Sequence, residues 1–325
     1  MENNHESRVS LQAAIKIQAL NPHSYAVNVP ADHCYGEAAH GGFVASAILS
    51  AIREHFKSTL EKQRQPHTFD IQLNFLRPVT VGKCQVDIKD IKIGLKRSTI
   101  QFALRRNSID HVVGYASNID MEAEQGLSYP TSFKLQYPPP KAKFENLLND
   151  CDPHWASLRI PWSPNSYLKA GTQLCWFTPA KGSDNPSVID IWFTPLSPDE
   201  TFTTEMVGSI ADHWGCLLDN LHPHSVWSTE YMAAATKERD MTMGTDLSKA
   251  PVGFYTSSIS MEIKKQLPPE GVRWLFTRAQ AKKIYNGRLD MEVLVLDEGD
   301  DLIAVSHQTV FFPTGHRFAK KAERL

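Results

Sequence analysis

The stretch His40-Gly41-Gly42-Phe43-Val44-Ala45-Ser46-Ala47-Ile48-Leu49-Ser50-Ala51-Ile52 decides the fold. Phe43, Val44, Ala47, Ile48, Ala51, Ile52 and Phe56 recur at three- and four-residue intervals, while Ala45 and Leu49 add apolar surface on the other side. This spacing predicts a helix from Gly41 to about Lys62, apolar around enough of its circumference to be an interior element. The chain after it alternates with a period of two, in Phe69 to Phe75, Gln85 to Ile88, Thr99 to Leu104 and His111 to Ile119. Successive side chains of a strand point to opposite faces, so alternation predicts strands with one buried face. Pro78 and the pairs Val81-Gly82 and Ile93-Gly94 supply the breaks. One long helix wrapped by an antiparallel sheet, an α+β unit, is the simplest structure for this order.

The same order returns in the second half. Val188-Ile189-Asp190-Ile191-Trp192-Phe193 reads as a strand and is followed by a predicted helix from about Thr203 to Leu221, with Thr203 or Thr204 as its cap and Glu205 in its first turn. Strands are then predicted over Gly253 to Ile263, Arg273 to Ala281, Arg288 to Leu296 and Leu302 to Phe312. Asn286-Gly287 and Glu298-Gly299-Asp300 mark hairpins between them. Asp90 to Gly94 leading into Ser98 to Leu104 has the shape of Lys283 to Gly287 leading into Leu289 to Leu296. We read the chain as a degenerate tandem duplication, two helix-wrapped antiparallel sheets forming one pseudo-dimer. The expected division is an N-terminal unit over 1–125, a connector over 126–165 and a C-terminal unit over 166–325. The connector is marked by Pro130, Pro138-Pro139-Pro140, Pro153, Pro161 and Pro164. Proline fixes φ and removes donors, so the segment should run extended over the surface, with Trp155, Leu158, Ile160 and Trp162 docking on a neighbour.

Composition narrows the function classes. The 325 residues are 42% hydrophobic with a formal net charge of −2, which suits a globular core and gives no overall attraction to nucleic acid or anionic lipid. No apolar run approaches the roughly 18 residues of a membrane span. The start, Met1-Glu2-Asn3-Asn4-His5-Glu6, lacks a basic flank leading into an apolar segment, so a cytoplasmic location is expected. Glu323-Arg324-Leu325 matches a peroxisomal address only loosely. Five cysteines, widely spaced and without a C-x-x-C pair, predict reduced thiols. There is no G-x-S-x-G elbow, P-loop or G-x-G-x-x-G, which removes the main support for serine-hydrolase, nucleotide-hydrolysing and dinucleotide-binding readings.

On the predicted second helix the apolar stripe is Met206, Ile210, Trp214, Leu217 and Leu221, and Asp212 falls nearly opposite it, beside Gly208, Gly215 and Asp219. Trp214 reads as core. Together with Thr256 and Gln308, Asp212 makes a polar trio that the first half lacks, which points to a site where the two lobes meet. The chain resembles the type II (TesB-like) double hot-dog acyl-CoA thioesterases over nearly all of both halves. Gly41-Gly42 opening the first helix and Phe75-Leu76-Arg77-Pro78 ending a strand carry the resemblance. So do Ala211-Asp212 in a small-residue helix, Thr256 ahead of Met261, and Gln308 after Leu302-Ile303-Ala304. Where that family tends to place Asp-His just after the threonine, this chain has Ser257-Ser258. The resemblance implies a double hot-dog fold, thioesterase activity, and Asp212, Thr256 and Gln308 as catalytic residues.

The chemistry is consistent with these residue types. Thioester hydrolysis needs a carboxylate to take a proton from water, neutral groups to hold that water, and donors for the oxygen that becomes negative. Asp212 supplies the first and Thr256 and Gln308 the second. The Gly41-Gly42-Phe43 helix start either aims free N–H groups at the thioester oxygen or exists so that two backbones can pack closely. No cofactor and no metal enter this scheme. The expected substrate is an acyl-CoA or an acyl-carrier-protein thioester of fatty-acid or polyketide metabolism, and exposed sheet edges allow a homodimer. Competing readings are an enoyl hydratase or dehydratase using His40 and Asp32-His33, and a non-catalytic acyl-binding protein. Asp32-His33-Cys34 as a thiol nucleophile with its base, and His222-Pro223-His224 as a chelate, are weaker candidates. The insertion from Pro223 to Pro251, with Trp227 and Tyr231, is a candidate lid. Lys96-Arg97, Arg105-Arg106, Lys264-Lys265, Lys282-Lys283 and the tail cations Arg317, Lys320, Lys321 and Arg324 are candidates for phosphate contacts.

Overall fold

A computed structural model of the chain describes residues 8–158, 160, 168–221 and 254–312. The first lobe begins with α1 (Leu11–Ala14), β1 (Gln18–Asn21) and β2 (Ser24–Val29), followed by the short pair β3 (Cys34–Tyr35) and β4 (Ala38–Ala39). Helix α2 (Gly41–Ser58) comes next, then β5 (His67–Phe75), β6 (Gly82–Lys92), β7 (Ser98–Arg106) and β8 (Ile109–Ile119). The 126–165 segment contains α3 (Phe144–Leu148) and β9 (Trp155–Leu158). The second lobe has β10 (Leu174–Pro179), β11 (Val188–Pro195), α4 (Val207–Ala211), α5 (Leu217–Leu221), β12 (Tyr255–Ile263), β13 (Leu275–Tyr285), β14 (Arg288–Leu296) and β15 (Leu302–Phe311).

Among the described residues thirteen strands form one sheet in the order β1-β2-β6-β7-β8-β5-β12-β15-β14-β13-β11-β10-β9, every neighbouring pair antiparallel. The lobes repeat one pattern. The run β2-β6-β7-β8-β5 corresponds strand for strand to β11-β13-β14-β15-β12, and the halves join through β5 and β12, where Leu73 faces Ile259 and Ile71 faces Met261. Alternation is visible in the burial: Ile100, Phe102 and Leu104 of β7, and Leu289, Met291, Val293 and Val295 of β14, all turn inward. The β13–β14 hairpin turns at Asn286-Gly287, both with positive φ, the conformation a two-residue hairpin requires. Asn107-Ser108 makes the same kind of turn between β7 and β8 without a glycine, which is why the sequence did not advertise it.

The sheet wraps α2, whose residues Gly42 to Leu49, Ala51, Ile52, His55 and Phe56 are buried. The predicted second helix differs from what its periodicity implies. Thr204–Met206 form a 3-10 turn, α4 ends at Ala211, and helix resumes only at Leu217. The His213 ring nitrogen Nδ1 takes the Ser209 carbonyl at 2.6 Å, the acceptor an unbroken helix would offer to the His213 backbone N–H. Side-chain competition for a backbone carbonyl therefore ends the helix at Asp212. Gly215 and Asp219 thus do not share a continuous helix face with Asp212.

The two helices meet where their side chains are smallest. A Cβ on Gly208 would lie 3.1 Å from the Ala45 Cβ, and the Ser209 N–H, one of the orphan donors of a helix start, is taken by Ser46 Oγ at 2.9 Å. The segment after Pro130 covers the outer face of the second lobe. Leu147 and Trp155 pack with Phe177, Trp192, Trp274 and Phe276 in a core separate from the main one, with Leu135 and Phe144 against it. β9 adds an edge strand to β10. Arg278 pins the segment, bonding the Gln136 carbonyl and the Tyr137 carbonyl at 2.9 Å while it pairs with Asp190.

Candidate active site

Asp212, Thr256 and Gln308 come together at the lobe boundary, facing the first turn of α2. Each is delivered by a different element: Asp212 by the C-terminal cap of α4, Thr256 by the start of β12, Gln308 by β15. Asp212 is 7% exposed and Gln308 3%. Asp212 Oδ2 accepts the Gly42 N–H at 2.7 Å and lies 3.2 Å from His40 Nε2. Its other oxygen, Oδ1, accepts the Trp214 indole N–H at 3.2 Å and the Thr256 hydroxyl at 3.5 Å. Gln308 Oε1 accepts the same indole N–H at 3.0 Å, and its Nε2 donates to the Ala211 carbonyl at 3.0 Å. The carboxylate and the amide are thus linked through Trp214, a residue whose apolar spacing concealed a polar role.

Burial pushes the Asp212 carboxyl up to about 7, against the Gly42, Trp214 and Thr256 donors, which pull it down. Burial likewise lowers His40 to about 4, so near neutral pH its imidazole is uncharged and donates from Nε2, shared between the Asp212 carboxylate and the Asp212 carbonyl at 3.1 Å. His213 lies with its ring 4.1 Å from that of His40 and is also held neutral by burial. A carboxyl balanced near neutrality beside neutral donors is suited to taking a proton from water.

The Gly41-Gly42 pair has a direct packing reason. A Cβ on Gly42 would fall 2.6 Å from the Gly208 carbonyl oxygen and 2.7 Å from the Asp212 Cβ, and one on Gly41 would fall 2.9 Å from Asp212 Oδ2. The Gly42 N–H is already given to Asp212. Gly41 and Phe43 sit at the other first-turn positions of α2, whose N–H groups have no intrahelical acceptor.

The duplication shows what the first lobe retains. β5 and β12 carry matching register shifts, after Thr68 and after Thr256, so a threonine stands at the equivalent place. Across the strand, Ile259 faces Gln308, whereas Ile71 faces Ala116. On the helices, with Ser46 and Ser209 bonded to each other, Asp212 follows Ser209 by three residues as Leu49 follows Ser46. The equivalent cleft, lined by Leu49, Arg53, Thr68, Thr204 and Glu205, therefore keeps the threonine and has leucine in place of the acid, while Ala116 holds the strand register position of the amide.

Other sequence candidates are occupied differently. Asp32 Oδ2 accepts from Val9 N, His33 Nε2 is 2.8 Å from Val9 O, and burial raises Cys34 to about 11, the reverse of an activated thiol. His23, His55 and Asp90 bring three ligand-type atoms within 4.8 Å near the C-terminal end of α2. There His55 commits one ring nitrogen to Pro22 O at 3.0 Å and the other to Asp90 at 2.9 Å. Arg105, Lys264, Lys265 and Lys282 are paired with carboxylates. His222-Pro223-His224, the Pro223 to Pro251 insertion with Trp227 and Tyr231, Trp162 and the tail cations lie outside the described residues. Among those described, no helix is long and apolar enough to cross a membrane.

Residues 29–119 match the acyl-CoA thioesterase N-terminal domain and residues 134–312 the acyl-CoA thioesterase C-terminal domain. The chain belongs to the acyl-CoA thioesterase family. It is a thioester hydrolase of that family, with acyl-CoA as the substrate class the domains imply. It is 26% identical over 318 residues to the thioesterase-like protein TwmA of Talaromyces wortmannii, covering 90% of this chain and 89% of that one. The double hot-dog architecture is shared with solved structures. A conserved protein of unknown function with a hot-dog fold from Alicyclobacillus acidocaldarius superposes with a TM-score of 0.66 at 14% identity, over 94% of this chain and 98% of that one. A putative thioesterase II from Thermobifida fusca gives 0.65 at 13% identity over the same shares. The acyl-CoA thioesterase II TesB2 of Mycobacterium marinum gives 0.55 at 14% identity, over 94% and 100%. These likenesses identify the fold; the family assignment rests on the two domain matches.

Proposed function

We propose that this protein hydrolyses acyl thioesters by direct attack of water, with Asp212 as general base and Thr256 and Gln308 positioning the water and the base. The observation that carries this reading is a buried carboxylate at the lobe boundary, held from one side by the start of α2 and from the other by Thr256 of β12 and the Trp214 indole, which also bonds Gln308 of β15. In the step proposed, the water oxygen bonds to the thioester carbonyl carbon as its proton passes to Asp212. Gly41 and Phe43 N–H groups face the developing oxyanion, while Gly42 N–H holds the carboxylate. Collapse of the tetrahedral intermediate breaks the C–S bond, and the thiolate leaves with the proton from Asp212. A carboxylic acid and a free thiol result, with no covalent enzyme intermediate.

The proposed substrates are acyl-CoA or acyl-carrier-protein thioesters of fatty-acid or polyketide metabolism. The proposed functional division is two hot-dog units, 1–125 and 166–325, with 126–165 connecting them and 166–325 supplying the three named residues. The exposed edge strand β1 supports a homodimer in solution, and the proposed location is cytoplasmic. The test is free-thiol release from a panel of short-, medium- and long-chain acyl-CoAs by wild type and Asp212→Asn. Release by the wild type and loss in the variant support the reading. Equal rates in both would sink the mechanism. A change in enoyl absorbance without thiol would indicate a hydratase, and neither signal a binder.

A further inference from the structure

We propose that Trp214 is a positioning residue for hydrolysis: its indole N–H ties the Asp212 carboxylate to the Gln308 amide and fixes which way round that amide sits. This rests on the hydrolytic reading above and extends it to a residue that touches neither water nor substrate in that scheme.

The argument begins with what an indole can do. Its Nε1 is a donor and never an acceptor, so both atoms it meets, Asp212 Oδ1 at 3.2 Å and Gln308 Oε1 at 3.0 Å, must be oxygens acting as acceptors. That requirement orients the amide: Nε2 turns toward the Ala211 carbonyl at 3.0 Å and Ser306 Oγ at 3.4 Å, while the Oε1 lone pairs face the indole N–H. The bonds are made in a dry place, since Trp214 is 1% exposed and Gln308 3%. The ring itself is fixed by Phe254, with centroids 5.0 Å apart. A buried tryptophan needs some acceptor for its N–H, and a nearby backbone carbonyl would satisfy that need. Here the N–H is instead divided between the two side chains proposed to act in catalysis. Its hydrogen bond to the carboxylate favours the ionised form, the form able to accept a proton.

Trp214→Phe removes the N–H and keeps most of the ring. Replacement at position 214 with 3-benzothienylalanine, in which sulfur takes the place of the N–H on an equally large ring, covers the case in which the phenyl ring packs poorly. With the best acyl-CoA of the panel, kcat is expected to fall about tenfold with KM within twofold, and the acid limb of kcat/KM to move to higher pH by about one unit. A folded benzothienylalanine protein with the wild-type kcat and the wild-type acid limb would overturn the proposal. If wild type releases thiol from no acyl-CoA, the hydrolytic reading fails separately. The Trp214 link is then read by isotope-edited infrared titration of the Asp212 carboxylate: an upward move on losing the N–H supports it, and an unmoved titration overturns it.

Discussion

Gly42 donates its backbone N–H to Asp212 Oδ2 at 2.7 Å, and the two residues lie in different lobes, 170 positions apart. The contact joins the start of one hot-dog helix to the end of the other. Packing, helix geometry and proposed catalysis therefore depend on the same few atoms.

Gly42→Ala should damage both stability and activity. The new Cβ would meet the Gly208 carbonyl oxygen at 2.6 Å and Ser209 Cα at 2.8 Å, backbone atoms that cannot rotate aside. Overpacking of this kind costs about 1–3 kcal/mol, and the helices must separate, carrying Asp212 away from its donor. A lower midpoint in urea and at least a tenfold lower kcat are expected. Gly126→Ala, where a Cβ would meet nothing within 4 Å, serves as the control and should match wild type.

Among the three site residues, Asp212→Asn should lower kcat most, by about 10²–10⁴-fold, the usual contribution of a general base. Thr256→Val removes only a long contact of 3.5 Å and should cost about tenfold. Gln308→Leu leaves the Ala211 carbonyl without its amide partner and the Trp214 N–H with one acceptor fewer. It should lower stability by about 1–3 kcal/mol as well as rate. Steady-state kinetics beside chemical denaturation of the three variants would expose any other ranking.

Activity and stability should respond to pH with opposite signs. The proposed hydrolysis needs the ionised Asp212, so kcat/KM should rise with pH and level off above about 7. For folding, the native carboxyl holds its proton up to about 7, whereas the unfolded one loses it near 3.8. The stability this group contributes is therefore greatest at low pH and is lost as pH rises through 7. Buried His40, lowered to about 4, works the other way, so the comparison must be made against Asp212→Asn. Relative to that variant, wild-type Tm should fall between pH 5 and pH 8. A difference that stays constant across this interval would count against the burial argument.

Arg278→Met should loosen the connector. Arg278 forms a two-point pair with Asp190, both bonds at 2.7 Å, and also holds the Gln136 and Tyr137 carbonyls. Removing it leaves Asp190 buried without its charge partner, a loss of about 3–5 kcal/mol in comparable cases. Limited proteolysis should then cut faster between Leu127 and Lys143 than in wild type, and Asp190→Asn combined with Arg278→Met should recover part of the lost stability.

Much of the fold was legible locally. Ile100, Phe102 and Leu104, or Leu289, Met291 and Val293, announce strands because period two is a property of the backbone alone. The matching order of elements in the two halves revealed the duplication for the same reason. The break in the second helix was not legible, because residues 203–221 keep an apolar period through His213. Only in the folded chain does that ring capture the Ser209 carbonyl. The spacing of Trp214 predicts a core residue. It is buried, yet its N–H polarity matters only because Asp212 and Gln308, 96 positions apart in number, are brought to it.

The amino-acid sequence by itself determined the strands of both lobes, the buried first helix, the family resemblance and the residue types available for chemistry. Each of these follows from local periodicity or short motifs. Tertiary structure alone decided that Asp212 is buried against the other lobe's Gly42, that Trp214 joins the carboxylate to Gln308, and that the equivalent positions of the first lobe hold Leu49 and Ala116 instead. Those facts depend on which strand pairs with which and on how closely two helices approach. Such long-range distances are set by packing the whole core and leave no trace in neighbouring residues.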